Sequence, residues 1–173
     1  MQKLGYRILS WLFLGVFASP AFASDPGVGD AAPVFQLKTH ENQDFDLAKR
    51  KGQWTVLYFY PKSGTPGCTK QACAFRDNIK KVRDQGAEVY GISTDSVESQ
   101  AKFHKEHALN FTILADADAK VTSAYGAKMP VVKVSKRWTF IVDPELKIRA
   151  IEKDVDPVLD AERVAKTLAS LKK

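Results

Sequence analysis

The segment WTVLYFY, at residues 54–60, constrains the fold of this chain more than any other feature of its sequence. It is a run of β-branched and aromatic residues around one leucine that ends at Pro61, which is typical of a strand buried on both faces. Shortly afterwards, Thr65 and Pro66 predict a helix start, because threonine is a good N-cap and proline fits the first helical position. A doubly buried strand followed by a helix indicates a sheet with helices on its faces.

Strand and helix patterns alternate along the rest of the chain. In chain order, the sequence predicts a helix from 65 to about 86, a strand at 87–93, a helix at 96–109, a strand at 111–116, a short helix at 118–127, two adjacent strands at 137–143 and 147–155, and an amphipathic helix at 160–173. At 173 residues the chain is too short to make two ordinary domains the better interpretation. We therefore expect one α/β domain with a central mixed β-sheet flanked by helices.

The first 23 residues predict a secretory signal peptide that is cleaved after Ala23. Lys3 and Arg7 give a positive start, an apolar run covers residues 8–18, and the segment ends in an Ala-x-Ala pattern. An uncleaved anchor is the alternative, but spanning a bilayer takes about 20 apolar residues. We expect residues 24–173 to form an exported domain with no membrane attachment after cleavage, periplasmic if the host is a Gram-negative bacterium.

The charge pattern argues against nucleic acid as a partner. The chain has 26 basic and 20 acidic residues, a net charge of +6. The basic residues are scattered among acidic ones, whereas a nucleic-acid-binding face needs a concentrated basic stripe. We interpret most of these charges as solvated surface.

The two cysteines of the chain, Cys68 and Cys73, lie five residues apart in the segment TPGCTKQAC. In an exported protein such a pair most often forms a structural disulfide. On the predicted helix, however, their Cα atoms would be about 8.7 Å apart, and a disulfide spans about 7 Å at most. Zinc is disfavoured as well, since two cysteines supply half of its usual shell and the three histidines offer no matching pair nearby. We therefore expect no bound metal.

The helix start favours redox chemistry at Cys68. With Thr65 as the N-cap, Cys68 occupies the third helical position, near unpaired N–H groups and the positive end of the helix dipole. Both favour a thiolate, which is the reactive form of cysteine, and Gly67 leaves room for a substrate. Cys68 could then be oxidised to a sulfenic acid that condenses with Cys73 once the helix unwinds. This chemistry uses the two thiols, and we expect no cofactor.

The stretch YPKSGTPGCTKQACAFRD resembles the peroxiredoxins, in particular the subgroup called bacterioferritin comigratory protein or peroxiredoxin Q. The family motif of a proline, three residues, a threonine, two residues and the reactive cysteine is met by Pro61, Thr65 and Cys68. The resolving cysteine of the subgroup falls on Cys73. The similarity continues through TILADADAKVTSAYGA and KRWTFIVDPELKIRAI. It implies a thioredoxin-like fold and reduction of hydrogen peroxide and organic hydroperoxides through a transient Cys68–Cys73 disulfide.

The resemblance also implies roles for other residues and a protein partner. The conserved arginine of the family falls on Arg137, where it would donate hydrogen bonds to the thiolate and the peroxide. Thr65 would orient both, and Pro61 would shield the pocket from water. Relatives are typically cytoplasmic and draw electrons from thioredoxin, so an exported member implies a thioredoxin-like reductant in its own compartment. Because both cysteines lie in one chain, the chemistry needs no dimer and we expect a monomer.

Two other functions stay open at this point. A copper-delivery protein on a thioredoxin-like scaffold typically has two cysteines separated by three residues and a distant histidine, whereas four residues separate them here. A thiol-disulfide oxidoreductase acting on proteins normally carries Cys-x-x-Cys, which this sequence lacks.

Overall fold

A computed structural model describes residues 25–173, so the predicted signal peptide lies outside the described residues. The strands are β1 Gln36–Thr39, β2 Asp44–Asp46, β3 Trp54–Phe59, β4 Ala87–Ser93, β5 Thr112–Ala115, β6 Trp138–Val142 and β7 Ile148–Glu152. The α-helices are α1 Pro66–Arg83, α2 Val97–Glu106, α3 Lys120–Ala124 and α4 Asp160–Leu171, and a 3-10 helix covers Leu47–Arg50. The seven strands form one sheet in the order β2-β1-β5-β4-β3-β6-β7.

The sheet is mixed, as predicted, with β4 at its centre and β3 beside it. β3 is parallel to β4 and β4 to β5, while β6 runs antiparallel to β3 and β7 antiparallel to β6. Helices α1 and α2 connect the three parallel strands, and the β6–β7 pair is the predicted hairpin near the end of the chain. The α/β architecture predicted from the sequence is therefore confirmed.

The side chains of β3 alternate between two separate hydrophobic clusters. Val56 and Tyr58 pack into the cluster that α1 and α4 cover, and Leu57 and Phe59 pack into the cluster that contains α3. All residues from 55 to 60 are buried. Because both faces of the strand are covered, its sequence is apolar at every position but Thr55.

The structure differs from the prediction at the sheet edge and at some helix ends. The hairpin of β1 and β2 was not predicted, because each of these short strands buries one side chain, Thr39 or Phe45, and so carries no clear alternation. Helix α1 ends at Arg83, three residues before Gly86, which adopts a φ of 64° that a right-handed helix cannot contain. Helix α2 ends at Glu106 and does not reach 109.

In the part of the chain from residue 25 onward, no helix combines the length and apolar character that a membrane crossing requires.

Candidate active site

Cys68 lies in the first turn of α1 and is 1% exposed. Thr65 is the N-cap of this helix, with extended backbone, and Pro66 is the first helical residue, as the sequence predicted. Within the described structure, the Thr65 side chain makes no capping bond, because its hydroxyl donates to the carbonyl of Lys62 at 2.9 Å. The first-turn N–H groups are thus left without a side-chain cap next to the Cys68 sulfur, which suits an anion at that position.

Arg137 meets Cys68 from the sheet. It directly precedes β6, whose Trp138 pairs with Phe59 at the end of β3, so its side chain reaches the start of α1. Its Nη2 donates to the Cys68 Sγ at 3.5 Å. Gly67 makes this approach possible, since a Cβ added there would lie 3.2 Å from the same Nη2. The structure therefore brings together two residues that no local sequence signal connects.

Pro61 and Cys73 flank this contact along the chain. Pro61 is half-buried immediately after β3, at the entrance to the loop that leads to Thr65. Cys73 is a free, half-buried thiol about 1.4 turns beyond Cys68 on α1. The helix is continuous between the two cysteines, which keeps their Cα atoms about 8.7 Å apart. A disulfide between them requires the helix to unwind locally.

A buried hydrogen-bond network extends the arginine contact to the last helix. Arg137 Nη1 donates to Gln71 Oε1 at 2.6 Å, and Gln71 Nε2 donates to Asp160 Oδ2 at 2.7 Å. The hydroxyl of Thr139 donates to the same oxygen at 2.8 Å. Burial raises the pKa of the Asp160 carboxyl, while the two donors oppose this effect.

Sequence reasoning missed this network. Gln71 follows Cys68 by three residues and so lies on the same face of α1, a spacing that could have identified it. Asp160 is 89 residues from Gln71 and carries no comparable signal.

Cys68 belongs to a buried hydrophobic cluster that contains the aromatic residues Tyr58, Tyr60 and Phe75. Tyr58 stacks on Phe75 with the ring centroids 4.7 Å apart and on Tyr60 at 5.4 Å. Burial, helped by the neighbouring Tyr60 and Cys68, raises the pKa of Tyr58 well above its ordinary value of 10.0. Tyr58 therefore stays neutral near pH 7 and forms an apolar floor rather than an acid or base. Gly91 provides the space, because a Cβ there would lie 2.6 Å from the Tyr58 ring.

Across residues 25–173, no group of three or more histidine, cysteine, aspartate or glutamate side chains is arranged to hold a metal ion.

Comparisons with known proteins agree with this geometry. The model of the AhpC/TSA family matches residues 28–151. A putative peroxiredoxin bcp from Coxiella burnetii is 41% identical over 130 residues, which are 72% of this chain and 86% of that protein. The chloroplastic peroxiredoxin Q of Sedum lineare is 40% identical over 146 residues, which are 83% of this chain and 78% of that protein.

Among solved structures, one of the Xanthomonas campestris bacterioferritin comigratory protein superposes with a TM-score of 0.78 at 26% identity, covering 83% of this chain and 100% of that one. That structure concerns the alkyl peroxide reduction activity of the Xanthomonas protein and a trapped intermediate/ligand complex. The fold of the present chain is thioredoxin-like, with the seven-stranded mixed sheet flanked by helices.

Proposed function

Since this chain belongs to the AhpC/TSA family, as a two-cysteine thiol peroxidase of the bacterioferritin comigratory protein/peroxiredoxin Q subgroup, we propose that Cys68 is its peroxide-reacting thiol and Cys73 its resolving thiol. One observation carries this assignment: the guanidinium of Arg137 donates to the sulfur of Cys68 at 3.5 Å, at the start of the helix that also holds Cys73. A buried sulfur that faces a cation and uncapped helical N–H groups is placed to react as a thiolate.

In the first step, the Cys68 thiolate attacks the terminal oxygen of a peroxide, ROOH. The S–O bond forms as the O–O bond breaks, and the sulfur gives up two electrons. The leaving alkoxide or hydroxide takes a proton from solvent, which balances the proton that Cys68 released on forming the thiolate, and becomes ROH or water. Negative charge moves from sulfur to the leaving oxygen, and Arg137 stabilises it throughout. The Thr65 hydroxyl donates its hydrogen bond to the Lys62 carbonyl. Its oxygen can therefore accept a hydrogen bond from the O–H of the peroxide. Pro61 limits access of water at the pocket edge.

In the second step, the sulfur of Cys73 attacks the Cys68 sulfenic acid. An S–S bond forms, the S–O bond breaks, and the hydroxyl leaves as water with the Cys73 proton. The first turns of α1 must unwind beforehand, because the folded helix holds the two Cα atoms too far apart. A dithiol protein then exchanges with the disulfide and returns both cysteines to the reduced state.

The substrates that we propose are hydrogen peroxide and organic hydroperoxides, and the proposed electron donor is a thioredoxin-like protein. The alkyl peroxide reduction activity of the Xanthomonas campestris protein supports the organic substrates. We further propose that the protein is exported, to the periplasm in a Gram-negative host, and that its reductant works there; the sequence of residues 1–23 supports this. The presence of both thiols on one helix supports a monomer as the working unit.

Intact-mass measurement tests the assignment directly. One equivalent of hydrogen peroxide added to the reduced protein should remove two hydrogens, and in Cys73→Ser it should instead add one oxygen that dimedone traps as a sulfenic acid. Cys68→Ser is the matched control and should consume no peroxide. Peroxide consumption that survives in Cys68→Ser, or a wild-type protein that stays unmodified, would overturn the proposal.

A further inference from the structure

Resting on this proposed function, we propose that Asp160 is a positioning residue that acts on both steps through Gln71. In the first step, its carboxyl holds Gln71 so that Gln71 holds Arg137 against Cys68. In the second step, the same Gln71–Asp160 hydrogen bond is a latch that opposes the unwinding of α1. Asp160 thereby favours peroxide attack and slows disulfide formation.

The chemistry of the three groups sets the direction of the network. An arginine side chain can only donate, and Asp160 Oδ2 is an acceptor in both of its hydrogen bonds. A single amide can join them only with its oxygen toward Arg137 and its NH2 toward Asp160, which is the arrangement found at 2.6 and 2.7 Å. Without an acceptor at position 160, the amide of Gln71 loses the partner that fixes this orientation. Arg137 then loses the acceptor that aims its second nitrogen at the Cys68 sulfur.

The latch follows from where Gln71 lies on the helix. It falls between Cys68 and Cys73, in the segment that must leave helical geometry before the two sulfurs meet. Gln71 is fully buried, and Asp160 is 1% exposed, so separating them breaks a hydrogen bond that is shielded from water. Unwinding of the first turns of α1 therefore cannot proceed without releasing Gln71 from Asp160.

The helix beyond Cys73 is held separately, which limits the unwinding to the first turns. Arg76 donates to the carbonyl of His107 at 2.7 Å, and the Asn110 side chain donates to the carbonyl of Arg76 at 3.0 Å. These contacts tie the middle of α1 to the loop after α2. The Gln71–Asp160 bond ties the segment between the cysteines to α4, so the resolving step must break it.

The surroundings of Asp160 also suit a latch that opens and closes. Its Oδ1 is buried and has no hydrogen-bond partner among the described residues, so the carboxyl group keeps an unused acceptor oxygen. Asp160 also lines a cavity of about 70 Å³ between β6, β7 and α4. A cavity of this size admits water, which can take the place of the Gln71 amide when the helix unwinds.

Two rates measured on the same variants test the proposal. The first is peroxide consumption in a Cys73→Ser background, and the second is disulfide formation after rapid mixing with excess hydrogen peroxide and quenching with an alkylating agent. Asp160→Ala should slow the first step about tenfold and accelerate the second about tenfold, as expected for loss of a hydrogen bond to a charged group. Asp160→Asn keeps an acceptor oxygen and should restore both rates most of the way toward wild type.

Two further variants keep the test decisive. Glu162→Gln removes an exposed acid from the first turn of the same helix and should change neither rate. Gln71→Met removes the amide at similar length and should reproduce the effects of Asp160→Ala, even if that variant folds poorly. Hydrogen exchange at the amides of residues 68–73 should accelerate in both, while that of residues 76–83 should not.

Opposite changes in the two rates are the signature of the latch, because a merely structural role would slow both steps together. A disulfide step in Asp160→Ala and Gln71→Met that is no faster than in the wild type would overturn the inference. A wild-type protein that forms neither sulfenic acid nor disulfide would instead overturn the proposed function, so the two failures can be told apart.

Discussion

Substituting Gly67 by alanine should make this protein slower toward peroxide and at the same time more stable. The added Cβ would lie 3.2 Å from Arg137 Nη2, closer than ordinary carbon–nitrogen contact, so the guanidinium must retreat by a few tenths of an ångström. That nitrogen is already 3.5 Å from the Cys68 sulfur, and any retreat weakens the bond between them. Gly67 does not lie in the left-handed region, so alanine fits the backbone without strain.

The expected magnitudes have opposite signs. A hydrogen bond to a charged group contributes about 1.5–3 kcal/mol. Losing about a third to a half of it, roughly 1 kcal/mol, slows the first step about fivefold. In contrast, replacing glycine by alanine at a compatible position stabilises a protein by about 0.4–1 kcal/mol through the unfolded state. For a chain of this size, that raises the melting temperature by about 1–4 °C.

Stopped-flow mixing with hydrogen peroxide in a Cys73→Ser background measures the first step, and thermal unfolding of the reduced protein measures stability. Gly27→Ala is a suitable control, because the added Cβ meets only Asp30, at 3.4 Å, far from the thiol along the chain. A Gly67→Ala protein that reacts as fast as the wild type would refute the idea that the position of Arg137 limits the rate. A slower protein that is also less stable would indicate general disruption instead.

Two other substitutions have clear expected outcomes. Arg137→Ala should slow the first step by about 10²–10³, the usual cost of removing one donor to developing negative charge, with an unchanged circular dichroism spectrum; unchanged peroxide kinetics would remove Arg137 from the site. Burial of Asp143 is outweighed by hydrogen bonds from Lys147, Arg149 and Glu145, so its pKa lies below the ordinary 3.8. Because the pKa is lower in the folded than in the unfolded state, the ionised Asp143 carboxylate stabilises the fold above the unfolded-state pKa, and this stabilisation is lost as pH falls. Asp143→Asn should therefore reduce the free energy of unfolding by about 1–3 kcal/mol at pH 7. Denaturant titrations should then show a smaller loss of stability than the wild type below about pH 4, and an identical acid limb would contradict this.

Local signals in the sequence were sufficient to predict the centre of the fold. The apolar run of β3 and the Thr65–Pro66 start of α1 depend on neighbours along the chain, and both were predicted correctly. The edge hairpin was not predicted, because β1 and β2 are short and mostly exposed and leave little hydrophobic pattern. Prediction from hydrophobic patterns therefore fails for strands that bury few side chains.

The candidate site likewise has one part that local sequence predicts and one part that it does not. The environment of Cys68 at a helix start follows from four consecutive residues, but the meeting of Arg137 with Cys68 depends on the pairing of β3 with β6. Only the family resemblance anticipated it. Asp160 reaches the site through the packing of α4 against α1, a tertiary event with no local signature in the sequence.

The continuity of α1 through both cysteines has a consequence for the proteins that this chain meets. In the proposed cycle, the oxidised form displays a loosened segment that the reduced form conceals within a helix. A reductant that recognises this segment distinguishes the disulfide form from the dithiol form by its conformation, before any thiol–disulfide exchange takes place. Once the disulfide is reduced, the helix reforms and conceals this segment. The reduced protein therefore does not compete with the oxidised protein for the reductant.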